Sequence, residues 1–123
     1  MGDLSVHFSR SEFACKCSCG MDTVDTELLT ILEVIRDHFD AVVKINSGCR
    51  CLAHNKAVGG GTNSFHLLCR ASDIEVEGVP ASEVQDYCNQ IWPDKYGIGA
   101  YNTFTHLDSR GYKARWGSNE ASP

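Results

Sequence analysis

A glycine-rich break followed by an alternating segment is the feature that most constrains this fold. Residues 59–61 are three consecutive glycines, which cannot continue a helix cheaply, so the helix favoured over residues 52–58 has to end there. Residues 71–77 then alternate apolar and polar side chains, which predicts a half-buried strand. A permissive loop therefore brings His66 to the start of a strand that carries Asp73.

The remaining periodicity predicts an α+β fold. Helices are predicted over residues 24–39, 52–58 and 80–92, and strands over 41–46, 71–77, 97–101, 104–108 and 113–116. Helical and strand segments in this order favour a small antiparallel sheet with flanking helices. We expect a single domain over residues 1–123, with its core at about 8–116 and a disordered tail at 117–123.

Two histidines and one carboxylate form a candidate metal set. Side chains along a strand alternate in direction, so Phe104, His106 and Asp108 share one face. Asp73 can face His106 from a neighbouring strand, and His66 reaches in from its loop. Such a set suits one zinc ion, with a fourth position left for water. The spacing alone also allows these side chains to be merely packed or exposed. The other histidines, His7, His38 and His54, are expected off the metal.

Charge and hydropathy exclude several classes of partner. The net charge is -5 and no lysine and arginine cluster occurs, so nucleic-acid binding is not expected. No apolar run approaches the roughly 18 residues that a membrane span needs. The first residues lack the pattern of a signal peptide. We therefore expect a cytoplasmic monomer without an export signal of its own.

Seven cysteines are many for 123 residues. Their number is odd and a cytosol is reducing, so we expect free, partly buried thiols. Disulfides formed after release from the cell are one alternative. The other is a second, structural metal, held by the C-x-C-x-C group of residues 15–19 with the C-x-C pair of residues 49–51.

Several short motifs occur in the order found in one known family. They are Ser47-Gly48-Cys49-Arg50, Asn55, Val58-Gly59-Gly60, Ser64-x-His66, Ala71-x-Asp73 and Gly97-Ile98-Gly99-x-Tyr101-x-x-Phe104-x-His106-x-Asp108. On these motifs the sequence resembles the zinc D-alanyl-D-alanine carboxypeptidases and the related small phage endolysins. That group shares a fold with the amino-terminal signalling domain of hedgehog proteins, so the resemblance implies a hedgehog/DD-peptidase-like fold.

The resemblance also implies roles for individual residues. The three candidate metal ligands match the family's zinc positions. Arg50 matches a position that holds substrate or transition-state oxygen, and Ser64 matches the serine before the first zinc histidine. We expect Arg50, Ser64 and Tyr101 to contact substrate. The family cleaves peptide bonds in the peptidoglycan stem, commonly next to D-amino acids, which implies a bacterial peptidoglycan peptide as the partner.

Three positions depart from the family's pattern. Cys49 stands where the family often has tyrosine, and Cys69 where it often has glycine. Many relatives place a catalytic glutamate or aspartate three residues before the last zinc histidine, and this chain has Thr103 there. The general base of a peptidase reaction then has to come from elsewhere in the chain.

Asp108 is the residue that we expect to act as that base. It lies two residues after His106, on the same strand face, and resembles the aspartate found there in the small phage-type branch. Glu75, on the face of Asp73, is the alternative base. Asp108 could instead orient Arg110 or Arg115 in a surface ion pair.

The expected function is a zinc metallopeptidase that cleaves peptidoglycan stem peptides, with endolysin-like release to the cell wall by other factors. The alternative is a zinc-containing module with weak or no catalysis, which binds the cell wall or forms part of a virion. The absence of a carboxylate at Thr103 favours the second version.

Overall fold

The computed structural model describes residues 7–15, 25–58, 66 and 69–117 of the chain. In these residues the elements are a 3₁₀ helix at Arg10–Phe13, helices α1 (Thr26–Phe39), α2 (Leu52–Ala57) and α3 (Ala81–Ile91), and strands β1 (Val43–Ser47), β2 (Ala71–Val76), β3 (Gly97–Ala100), β4 (Thr105–Asp108) and β5 (Ala114–Trp116). The predicted α+β class is confirmed. The tail predicted to be disordered lies almost entirely outside the described residues.

Local capping sets where the first helices begin. Ser9 and Glu12 form a capping box, with the Ser9 backbone N–H donating to Glu12 Oε2 at 2.6 Å. The Asp25 carboxylate caps α1 by accepting the N–H of Leu28 at 3.1 Å. Helix α1 ends at Phe39, and the φ of its C-cap residue Asp40, 48°, lies in the left-handed region.

The five strands form one sheet in the order β1-β2-β4-β3-β5. The first four strands pair antiparallel, as predicted, whereas β3 and β5 pair parallel. A tertiary contact accounts for this difference. Arg115 in β5 donates to the backbone carbonyls of Trp92 and Tyr96, which precede β3, so β5 starts beside the start of β3 and runs with it.

The two faces of the sheet differ in character. Ile74, Val76, Ile98 and Leu107 are buried in a hydrophobic core that α1 and α3 complete from one side. The opposite face carries Asp73 and Glu75 of β2 and His106 and Asp108 of β4, which alternate with these apolar side chains. The apolar face therefore supports the strands from behind, and the polar face is where a site can form.

Two of the cysteines are joined. Cys49 and Cys69 form a disulfide, so the prediction of free thiols is wrong for this pair. Both segments hydrogen-bond to the same residue, since the N–H groups of Arg50 and Cys69 both donate to the His66 carbonyl. This shared partner brings together two cysteines that are separated by 20 positions in the chain.

The other described cysteines are Cys15, Cys51 and Cys88. The sulfurs of Cys15 and Cys51 lie 3.8 Å apart. The remaining two members of the predicted cysteine metal group, Cys17 and Cys19, lie outside the described residues. No helix in the described ranges has both the length and the apolar character that crossing a membrane requires.

Candidate metal centre

Strand pairing brings Asp73 and His106 together. They are direct partners in the antiparallel β2–β4 pair, on the face opposite the hydrophobic core. The Nδ1 atom of His106 lies 3.0 Å from Oδ1 of Asp73. Since the register of the pair fixes both residues, this part of the site follows from the sheet alone.

His66 reaches the same point from outside the five strands. Its Nδ1 atom lies 2.6 Å from the carbonyl oxygen of Gly48, and its own carbonyl accepts the N–H of Arg50 at 3.0 Å. These contacts aim His66 Nε2 at Oδ1 of Asp73, 3.3 Å away. The three predicted ligands therefore converge. Their ligand atoms lie within 4.8 Å of one another.

Hydrogen-bond chemistry shows that this donor set fits a cation. The Gly48 carbonyl and the Asp108 carboxylate only accept, so they take the N–H of His66 Nδ1 and of His106 Nε2. In the neutral imidazoles the lone pairs of His66 Nε2 and His106 Nδ1 then both face Asp73 Oδ1. Three acceptors that point at one another repel, and a cation between them satisfies all three.

Burial makes the need for a cation between these three atoms stronger. His66, Asp73 and His106 are 0%, 5% and 1% exposed, so water does not screen them. Burial lowers the pKa of His66, against the opposing effect of Asp73, which favours the neutral, ligating form. Burial alone would raise the pKa of Asp73, but where protonated imidazoles of His106 and His66 donate to it in place of a cation, these contacts lower the pKa to about 2. Asp73 is therefore a permanent anion at neutral pH.

Arg50 holds the second oxygen of Asp73. Its Nη2 donates to Asp73 Oδ2 at 3.4 Å, Nη1 donates to Asn55 Oδ1 at 3.2 Å, and Nε donates to Ser47 Oγ at 3.0 Å. Arg50 is only 3% exposed. The guanidinium thus turns Asp73 so that Oδ1 faces the histidines. The motif contained Ser47 and Asn55, but their role in fixing Arg50 is visible only in the structure.

Asp108, the predicted base, has both carboxylate oxygens engaged. Oδ2 lies 2.7 Å from His106 Nε2 and accepts from Arg110 Nη2 at 2.7 Å. Oδ1 accepts from Arg110 Nε at 2.7 Å and from the backbone N–H of Gly97 at 3.0 Å. Burial would raise its pKa, yet His106 and Arg110 together hold the pKa well below the usual range. These contacts favour the alternative prediction, in which Asp108 pairs with Arg110, and they add an orienting contact to His106.

Glycines leave room for two of these neighbours. A Cβ at Gly97 would overlap the Asp108 carboxylate, and a Cβ at Gly99 would overlap the indole of Trp116. The Trp116 ring lies 4.9 Å from the ring of His106. Sequence reasoning missed Trp116. The Gly97-x-Gly99 spacing in β3 was the one local signal that bulky groups lie above that strand.

Tyr101 is held beside this aromatic group. Its hydroxyl accepts the indole N–H of Trp116 at 3.0 Å, and its ring stacks on Phe104 at 4.4 Å. From α3, Gln85 donates to the Tyr101 carbonyl at 3.0 Å. Thr103 is exposed in the turn between β3 and β4. The predicted substrate contact Ser64 lies outside the described residues, so its role stays a prediction.

The other histidines whose side chains are described lie away from the three convergent ligands. His7 pairs with Glu33 at 2.6 Å, and His38 stacks on Tyr87 at 3.6 Å. The side chain of His54 is outside the described part of the chain. Of the described histidines, only His66 and His106 therefore belong to the convergent set.

Comparison with known proteins agrees with this geometry. A family model described as Peptidase M15 matches residues 6–108. The matched range includes Arg50, the three convergent ligand residues and Asp108. A search of curated proteins returned no match at the threshold applied.

Proposed function

The chain belongs to the peptidase M15 family, and from this premise we propose that it is a zinc peptidase acting on the stem peptides of bacterial peptidoglycan. Peptidases of this family are zinc-dependent. The observation that carries the proposal is the convergence of His66 Nε2, Asp73 Oδ1 and His106 Nδ1 in a buried cluster. Two imidazoles and one carboxylate are the donors of a catalytic zinc site with an open position.

Zinc at this position would supply a Lewis acid for a peptide carbonyl and lower the pKa of a bound water to about 7. The chain's own residues would hold and orient the reacting groups. Arg50 and Asp108 act on the ligands, since Arg50 fixes Oδ2 of Asp73 and Asp108 fixes Nε2 of His106. Such partners of metal ligands set ring orientation and ligand basicity.

We expect Tyr101 to contact substrate beside His106. Its hydroxyl is oriented by Trp116, which also lies against His106. A tyrosine hydroxyl held in this way donates to a substrate oxygen while it accepts from the indole. We keep Arg50 as a contact for substrate or developing negative charge, as the resemblance implies, in addition to its contact with Asp73.

The experiment uses zinc-loaded protein, purified peptidoglycan and mass spectrometry of the released muropeptides. Release of stem-peptide fragments that a chelator abolishes and added zinc restores is the expected result. Absence of new fragments at full zinc occupancy would contradict the proposal. The masses also tell a carboxypeptidase, which removes one terminal residue, from an endopeptidase.

A second function is favoured by one specific observation. Thr103 replaces the acidic residue of many relatives, and both oxygens of Asp108 are engaged by protein groups. A zinc-containing module that binds the wall without cutting it fits this observation. Retention of the protein on peptidoglycan with no product would support this second function.

The proposed peptidase function includes an endolysin-like setting, in which other factors give a monomeric protein access to the wall.

A further inference from the structure

A groove lies along strands β1 and β2, and Glu75 on the polar face of the sheet is part of its lining. This β1–β2 groove has a volume of about 650 Å³, and its lining includes Val42, Lys44, Glu75, Glu77, Val79 and Pro80. A volume of this size is within the usual range for small-ligand sites. The groove runs from the strand that carries Asp73 to the segment that leads into α3.

Glu75 is the groove residue nearest to the metal centre along β2. It follows Asp73 by two positions, so both side chains point to the same face. The Nδ2 group of Asn46 donates to Glu75 Oε2 at 2.7 Å. Within the described ranges the other oxygen, Oε1, has no hydrogen-bond or ion-pair partner. The carboxylate is thus oriented by one neighbour and open to a ligand on its other side.

The rest of the groove suits an aliphatic stem. Val42 is 54% exposed and forms an apolar wall together with Val79 and Pro80. Lys44 is the direct strand partner of Glu75, yet it forms no ion pair with any described residue. The lining contains two carboxylates, Glu75 and Glu77, and one ammonium, Lys44, so the groove carries a net charge of -1. Apolar walls around an open carboxylate are complementary to a cation on a methylene chain.

We propose that the β1–β2 groove binds a substrate residue that carries an ammonium group on an aliphatic side chain, with Glu75 accepting the ammonium. This inference rests on the proposed peptidase function and names a feature of its substrate. An extended peptide advances about 3.3 Å per residue, and Glu75 lies two residues along β2 from Asp73, so the cationic residue sits about two residues from the scissile bond. A diamino acid in a stem peptide has this chemistry, and Lys44 can donate a hydrogen bond to a carboxylate beside it.

The test uses synthetic stem-type peptides in matched pairs. In each pair one peptide carries lysine and the other carries Nε-acetyllysine, placed two residues before the scissile bond in one pair and two residues after it in another. Zinc-loaded wild type should favour the lysine form of one pair by about three- to five-fold in kcat/KM, the range of a partly exposed ion pair. Glu75→Gln should abolish this preference through a change in KM.

A matched control is Glu83→Gln, an exposed residue on α3 outside the groove, which should keep the preference. Equal kcat/KM for both members of each pair in wild type would overturn the inference. Equal loss of kcat on both members in Glu75→Gln would also overturn it and would assign Glu75 to proton transfer. Calorimetry on the same peptides measures binding in the groove without any turnover. It therefore tests the groove even if the proposed peptidase activity fails.

Discussion

The metal centre is built from two parts that are held in different ways. The sheet part consists of Asp73 and His106, which are direct partners in the β2–β4 pair, with Asp108 two residues further along β4. The loop part consists of Arg50 and His66, which depend on the Gly48 carbonyl, the His66 carbonyl and the Cys49–Cys69 disulfide. Backbone pairing fixes the first part, and a few individual contacts fix the second.

This difference indicates where the site resists change and where it does not. A strand cannot shift by one residue without turning its whole polar face into the core, so the sheet part is locked by the fold itself. The loop part has no such register, and each of its contacts can be removed alone. Substitutions should therefore affect the two parts separately, except at Asp73, which contacts both.

The largest effect is expected at Asp73, because Oδ1 faces both histidines and Oδ2 binds Arg50. Asp73→Asn removes the charge that holds the cation and should reduce both bound zinc and turnover to background. Metal analysis and peptidoglycan digestion measure the two. Asp86→Asn, on the exposed side of α3, is the matched control and should retain both. Normal zinc content in Asp73→Asn would remove this residue from the ligand set.

A large loss of stability is expected from the double variant Cys49→Ser, Cys69→Ser, which removes the disulfide of the loop part. The disulfide closes a loop across 20 positions, and the loss of such a link costs about 3 kcal/mol in the free energy of unfolding. Urea unfolding of wild type and variant measures the difference. The variant should still unfold cooperatively in millimolar reductant, because a chain of 123 residues buries enough surface without the disulfide.

Reductant provides the internal control for this prediction. It should lower the stability of wild type to the level of the double variant and leave the variant unchanged. Equal stability of the two proteins under oxidising conditions would show that the disulfide does not brace the loop part.

Asp108→Asn tests the sheet part without changing a ligand. If Asp108 orients His106, zinc affinity measured against a competing chelator should fall by about 10- to 100-fold. If it is instead the base, zinc affinity should stay the same while turnover falls by roughly 10²-fold or more. Asp86→Asn is again the control. Unchanged affinity together with near-normal turnover would exclude both roles.

The smallest effect is expected from Gly97→Ala, which adds a Cβ where the Asp108 carboxylate lies. The carboxylate has to move from its contacts, and the cost should be about 1–2 kcal/mol in the free energy of unfolding. Thermal unfolding of the variant measures this cost. Gly111→Ala is a matched control, since a Cβ there would meet no atom within 4 Å. A shift in Gly97→Ala no larger than that of Gly111→Ala would contradict the close packing of β3 on Asp108.

The sheet part was accessible from the sequence because it follows from periodicity. Alternation predicted that His106 and Asp108 share a face, and that Asp73 could face His106 from a neighbouring strand. The structure agrees on each of these points. The positions of the helices followed from the periodicity of their apolar residues.

The loop part was not accessible in the same way. Cys49 and Cys69 carry no periodic signal. They come together because the N–H groups of Arg50, which follows Cys49, and of Cys69 both donate to the His66 carbonyl. The contact of Arg50 with Asp73 and the parallel direction of β5 likewise depend on residues that are distant in the chain. Periodicity and spacing carry information about residues that are close in the sequence. Contacts between residues that are distant in the chain are therefore visible only in the folded protein.

One zinc ion should bind the three convergent atoms. Diffraction data collected at the zinc absorption edge from crystals of zinc-loaded protein locate that ion. We expect one anomalous peak per chain, about 2.0–2.2 Å from His66 Nε2, Asp73 Oδ1 and His106 Nδ1. A fully occupied zinc peak with any of these three side chains turned away, or a single peak located at the cysteines, would contradict it.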